Sequence, residues 1–248
     1  MSYGICGLSL VPLREVAHYG APLVSEVLYG ELFEVISINS KWSNVKLSDG
    51  AIGWIDNEQY IKITFKQYTS LLKQECKTAV DLVEFILKDD NILFPISIGS
   101  TIQNCSFLGH DFEGQTSVNS TQKNNIPQTA FTFLNTPYRK GGKSPFGIDA
   151  AGFTQIVYKL CGVMLPRTAP EQSTIGEALS FIEESEPGDL AFFDDKEGNI
   201  IHVGIVLENN YIIHVSGQVR IDRLDQTGIF NETKNTHTHQ LRLIKSIA

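Results

Sequence analysis

The sequence predicts an α+β protein in which a small β-barrel precedes a helix packed on an antiparallel sheet. Three observations carry this. Residues 3–63 hold short, partly alternating apolar runs broken by frequent turns, the pattern of a small barrel. Phe153, Ile156, Val157, Leu160 and Cys161 form one stripe at helical spacing behind Asp149. The apolar runs at 190–193, 200–207, 211–216 and 241–247 follow one another through tight connections, as in a meander.

Within the front segment, Trp42, Asn44 and Lys46 alternate with Ser43, Val45 and Leu47, and Ser48-Asp49-Gly50 is the turn that follows. Residues 65–74 read as a short helix. The runs 80–87 and 92–98 read as two strands extending the barrel, joined by a polar turn at 88–91, with a helix over 81–87 as the rival reading. Residues 114–125, rich in Ser, Thr, Asn and Gln, read as a linker. This gives three expected segments: a barrel at 1–63, a β extension and linker at 64–125, and a helix-on-sheet domain at 126–248. Pro127 suits a helix start, Asn135-Thr136-Pro137 ends that helix, and Gly162 closes the helix that begins at Asp149 or Ala150.

Composition narrows the function. A formal net charge of -8 argues against nucleic acid or an anionic membrane as partner. No apolar run approaches the roughly 20 residues that cross a bilayer, and a cytoplasmic location is the default expectation. Cys6, Cys76, Cys105 and Cys161 form no CxxC pair and read as reduced, mostly buried thiols. No metal and no cofactor are expected; His237-Thr238-His239 has ligand spacing on a strand-like segment, but it lies in a polar Asn/Thr/His run and reads as a solvated loop rather than a metal site.

The chemistry centres on the start of the Ala150 helix. Unpaired N–H groups and the positive end of the helix dipole would depress the pKa of a thiol there and hold an oxyanion beside it. The base candidate is His202, an imidazole among β-branched residues, and the adjoining strand carries a second, His214. Register decides whether they meet. A two-residue turn at Asn209-Asn210 puts the rings on opposite faces. A loop of odd length sets His214 opposite Gly204 and diagonal to His202, where one imidazole can hold the tautomer of the other.

Val11-Pro12-Leu13-Arg14, Tyr29-Gly30-Glu31, Trp42 with Val45 and Leu47, and Gly53-Trp54-Ile55 resemble a bacterial SH3-like domain. Pro137-Tyr138, the run from Gly141 to Asp149, Gly152-Phe153, Leu165-Pro166-Arg167, Pro187-Gly188-Asp189-Leu190, His202-Val203-Gly204-Ile205 and His214 resemble, in order, the papain-like NlpC/p60 cysteine peptidases. The resemblance implies cleavage of peptidoglycan stem peptides, L-Ala-γ-D-Glu-diamino acid, with a free N-terminal L-Ala, as in muropeptide recycling. It assigns the nucleophile to position 150, the base to His202 and the orienting role to His214. It places Asp149, Ala151, Tyr138 and Arg167 at the substrate, with Tyr29 and Glu31 contributing from the front domain.

The chain departs from that pattern at its centre. Ala150 stands where the family has its cysteine, Ala151 where it has serine, and Arg139 and Lys140 where apolar or aromatic residues are expected. Cys161 lies three turns further on, about 16 Å along the helix axis, too far to substitute. The expectation is a hydrolase scaffold inactive at its nucleophile; the alternative is a natural pseudoenzyme that binds or senses muropeptides.

Overall fold

The computed structural model describes residues 2–88, 91–118 and 123–247. The chain folds as two compact units, Met1–Asn119 with Lys140–Pro145, and Ser120–Arg139 with Phe146–Ala248. Residues 64–118 are thus part of the front unit, where a separate extension and linker were expected.

In the first unit, β1 (Ser2–Ile5), β2 (Leu10–Arg14), β3 (Leu23–Leu28), β4 (Leu32–Ile38), β5 (Trp42–Leu47), β6 (Ile52–Asp56) and β7 (Ile61–Ile63) form one sheet in the order β3-β2-β6-β5-β4-β1-β7. The predicted alternation in β5 holds over its second half: Ser43, Val45 and Leu47 are buried while Asn44 is half-buried and Lys46 exposed, but Trp42, on that second face, is buried as well. The turn after it is set by Gly50, at φ 88°, and by the Asp49 carboxylate, which accepts from the Ala51 N–H at 3.0 Å. Val11, Leu13, Val27, Phe33, Val45 and Ile55 fill the core.

Helix α1 (Phe65–Leu71) opens with a Thr64/Gln67 capping box and stops three residues short of the predicted end. Next come β8 (Lys77–Ala79), β9 (Val83–Lys88), β10 (Ile92–Ser97), β11 (His110–Asp111) and β12 (Thr116–Val118). The two predicted strands do pair, Ile92 with Lys88 through Ser97 with Val83, but in their own sheet, β10-β9-β11, rather than as an extension of the first. That small sheet has its own core of Tyr29, Ala79, Ile86, Ile96, Ile102 and Cys105. Part of the expected linker is β12, paired with β8; polar side chains hid a strand whose backbone is what pairs. The remainder of that linker at 119–122, and residues 89–90 of the expected turn, lie outside the described residues. The short strand β13 (Lys143–Ser144) belongs to this unit.

The second unit contains α2 (Ile126–Phe131), β14 (Gly147–Ile148), α3 (Ala150–Leu160), α4 (Ala169–Gln172), β15 (Glu177–Leu179), β16 (Leu190–Asp194), β17 (Ile200–Leu207), β18 (Tyr211–Ser216), β19 (Gln218–Leu224), β20 (Gly228–Asn231) and β21 (Thr236–Ser246). The sheet runs β15-β21-β16-β17-β18-β19-β20, and β20 pairs back on β21, so six strands close into a barrel. Ala191, Phe193, Val206, Ile212, Leu224, Ile229 and Ile244 form its core. The closing strands β19 and β20 were not expected, and the last strand begins at Thr236 rather than at 241. Helix α3 lies against β17, β18, α2 and α4, with nearly every residue buried. Pro127 stands in the first turn of α2, and Gly162, at φ 84°, follows the C-cap of α3. The four cysteines are free, and all but Cys76 are buried. Among the described residues, no helix is long and apolar enough to cross a membrane.

Candidate active site

Asp149 is the N-cap of α3. Its Oδ1 accepts from the Gly152 N–H at 2.7 Å, supplying one of the partners the first turn lacks. Arg167 grips the same carboxylate in a fork, Nη1 to Oδ1 at 3.0 Å and Nη2 to Oδ2 at 2.8 Å. Ala150 is the first helical residue and is partly exposed, so its methyl occupies a solvent-reachable position at the positive end of the helix. Ala151 is buried, and its carbonyl accepts from Thr154 Oγ1 and Gln172 Nε2, both at 3.0 Å.

The two predicted histidines meet. The connection at Glu208–Asn210 has three residues, with Asn209 and Asn210 left-handed at φ 57° and 61°. That odd length sets His214 opposite Gly204. His202 Nε2 and His214 Nδ1 then lie 2.9 Å apart, and both side chains are buried on the barrel's inner face with Val206 and Ile212.

The relay continues beyond the pair. His214 Nε2 lies 3.0 Å from Asp222 Oδ2. Arg220 holds that carboxylate, with Nη2 donating to Oδ1 at 2.8 Å and Nε 2.7 Å from Oδ2. An ionised carboxylate only accepts, so His214 carries its proton on Nε2 and presents a lone pair at Nδ1. His202 must then donate from Nε2, which leaves its Nδ1 with a lone pair for a base. Among the described residues, no hydrogen bond engages that nitrogen.

Electrostatics keep the two imidazoles neutral and Asp222 ionised. Burial holds the His202 pKa well below the usual 6.5, and the neighbouring His214 and His239 depress it further. Burial also lowers His214, against the pull of Asp222. For Asp222 burial acts upward, but the hydrogen bonds from His214 and Arg220 outweigh it and the carboxyl lies below its usual range.

The other predicted residues divide. Tyr138 is exposed, tied to Gly217 by its N–H at 2.9 Å. Arg139 and Lys140 are also exposed, and Arg139 lies against Gly147, where a Cβ would come within 2.7 Å of its Cδ. The substrate contact expected at Tyr29 is corrected. That side chain is fully enclosed in the first unit's core, its hydroxyl 2.9 Å from His110 Nδ1. Glu31, in the same unit, faces the Lys143 ammonium at 3.2 Å and accepts from the Leu28 N–H at 2.9 Å.

Sequence reasoning missed Asp222 and Arg220, and it placed His239 in a loop. His239 lies on β21, half-buried, its ring stacked on His202 at 4.2 Å between centroids, where a solvated loop was expected. The signal available for Asp222 was parity: opposite Ile212, it shares the face of His214 once β19 is recognised as a strand.

A capped helix against an antiparallel barrel, with a carboxylate–imidazole–imidazole relay inside it, defines a papain-like α+β scaffold. Residues 135–238 match the NlpC/P60 family, and residues 13–59 match the bacterial dipeptidyl-peptidase SH3 domain. It is similar to the γ-D-glutamyl-L-lysine dipeptidyl-peptidase of Bacillus subtilis, 37% identical over 91 residues, covering 36% of this chain and 30% of the relative. It is also similar to the Bacillus cereus protein of that name, at 33% over 108 residues, 43% of this chain and 32% of the relative. The match thus spans about a third of these relatives' length. A probable endopeptidase NlpC of Escherichia coli is 41% identical over 83 residues, 33% of this chain and 53% of the relative. Among solved structures, an NlpC/P60 family protein from Bacillus cereus shares the fold over 99% of both chains, with a TM-score of 0.78 at 17% identity.

Proposed function

We propose that this chain is a peptide-binding scaffold for peptidoglycan-derived L-Ala-γ-D-Glu-diamino acid fragments in which hydrolysis is disabled at position 150. The observation that carries this reading is the combination of an ordered Asp222–His214–His202 relay with an alanine as the first residue of α3. The γ-D-glutamyl-L-lysine bond follows the names of the Bacillus relatives; the free N-terminal L-Ala and a cytoplasmic role in muropeptide recycling are parts of this proposal.

On this reading, the chemistry lost at Ala150 is that of a thiol nucleophile. A thiol there would pass its proton to His202 Nδ1, and the thiolate would attack the γ-glutamyl carbonyl carbon. Free N–H groups of the first helical turn would receive the oxyanion. His202 would return the proton to the departing diamino-acid amine, and water would release the acyl group by the same route. A methyl group offers no electron pair to begin this. Loss of a nucleophile removes a factor on the order of a million in rate.

Restoring the chemistry tests the reading. Ala150→Cys combined with Ala151→Ser is expected to release L-Ala-D-Glu from L-Ala-γ-D-Glu-L-Lys, detected by mass spectrometry, while the parent chain releases none. A restored protein that keeps its circular dichroism spectrum yet cleaves nothing, even with Arg139 and Lys140 replaced by apolar residues, would overturn it.

A further inference from the structure

We propose that His202, His214 and His239 form a site for a divalent transition-metal ion of the zinc class on the inner face of the second unit's barrel. One ligand nitrogen from each of the three lies within 4.8 Å of the others. They come from β17, β18 and β21, so the barrel's closure, not a sequence motif, assembles them.

Two of the three nitrogens are near the spacing that the ion requires, and the His239 ring, stacked on His202 at 4.2 Å between centroids, has to turn to meet them. Tetrahedral zinc with bonds of about 2.0–2.1 Å holds its nitrogen ligands about 3.3 Å apart. His202 Nε2 and His214 Nδ1 are already at 2.9 Å. His239 makes the larger adjustment, and it can: it is half-buried and adjoins the register shift between Ile229 and Phe230.

The surrounding shell is in place. His214 lies with its far nitrogen 3.0 Å from Asp222, and His239 lies with Nδ1 2.9 Å from Thr238 Oγ1. Such outer partners fix ring orientation and aim the other nitrogen inward. No proton has to leave: the one on His202 Nε2 moves to Nδ1, and all three ligands stay neutral. An all-imidazole set suits zinc and its neighbours and excludes calcium and magnesium, which take oxygen ligands.

An entry path exists. His239 lines an open cavity of about 650 Å³ together with Asp194, His237, Thr238 and Gln240. The buried Asp194 carboxylate lies on the same cavity; its Oδ2 is 3.7 Å from Arg242 Nε, and its Oδ1 has no hydrogen-bond partner among the described residues.

The ion and the peptidase relay exclude one another, because the ion takes the two nitrogens that hydrogen-bond between His202 and His214. A chain with no thiol at position 150 has no use for the relay as a base, and the inference does not depend on the proposed peptide substrate.

The test uses untagged, metal-free protein. Zinc titration by calorimetry is expected to show one site, and cobalt in its place should give the visible d–d absorption of tetrahedral nitrogen coordination. His239→Ala should weaken binding at least tenfold and abolish the cobalt spectrum. Asp222→Asn should weaken it about tenfold, and His18→Ala, at an exposed position of the first unit, should change neither. The proposal is overturned by absence of zinc binding, by octahedral cobalt, or by binding that persists unchanged in His239→Ala. Because His239 is half-buried, that variant is expected to fold, and circular dichroism confirms it. A negative result here leaves the restored-cysteine experiment untouched.

Discussion

Asp222 faces His214 on one side and Arg220 on the other, and its charge fixes which nitrogen of His202 keeps a lone pair. Removing it does two things at once: a buried imidazole N–H loses its acceptor and a guanidinium loses its counter-charge. Taking one partner from such a buried set costs about 3–5 kcal/mol. Asp222→Ala should therefore lower the urea midpoint of the second unit and speed amide exchange along β18 and β19. Asp222→Asn keeps an acceptor oxygen and should cost less. Equal stability of the two variants would show that the charge, not the hydrogen bond, matters. The histidine pair was legible from the sequence because a loop's parity is a discrete property, and two asparagines tolerate the left-handed turn that makes it odd. Asp222 was not legible, because Gln218-Val219-Arg220-Ile221-Asp222 places charged residues on a face that only barrel closure makes interior.

Among the elements, α3 shows most clearly how local chemistry fixes a boundary. Asp149 caps it, Gly162 follows its end in a left-handed conformation, and the apolar stripe between them was enough to locate it. The Asp149 carboxylate also carries the Arg167 fork, and the two roles can be separated. Asn caps a helix about as well as Asp, whereas Ala loses about 1 kcal/mol of capping. Asp149→Asn should thus report the charge pairing alone, and Asp149→Ala should be less stable by about that further 1 kcal/mol in urea unfolding. If both variants unfold at the same midpoint, the Gly152 hydrogen bond contributes nothing to the helix. Elements held by backbone pairing alone were harder to read. Strand β12 has polar side chains, and β21 starts in a Thr/His run that resembles a loop until its partner β20 is known.

At the scale of the whole molecule, the two units do not follow the chain in simple order: Lys140–Pro145 belongs with the first. Two features tie that segment in. Gly141 has φ 77°, and a Cβ there would approach the Leu23 carbonyl oxygen to 2.6 Å, which only glycine avoids. Lys143 is almost fully buried; its N–H donates to Glu26 at 2.7 Å and its ammonium lies 3.2 Å from Glu31 and 3.8 Å from Asp49. A sequence reading could not place this lysine, since its partners are distant in the chain and Gly141-Gly142 signals only a loop able to approach something closely. Replacing it with methionine preserves the aliphatic stem but removes the ammonium from beside two shielded carboxylates, a change of about 3 kcal/mol. Both tryptophans, Trp42 and Trp54, lie in the first unit, so their emission follows that unit's unfolding. Lys143→Met should shift the emission midpoint to lower urea, and Gly141→Ala should do the same by straining the backbone. An unshifted midpoint in both variants would mean that residues 140–145 merely lie on the first unit without stabilising it.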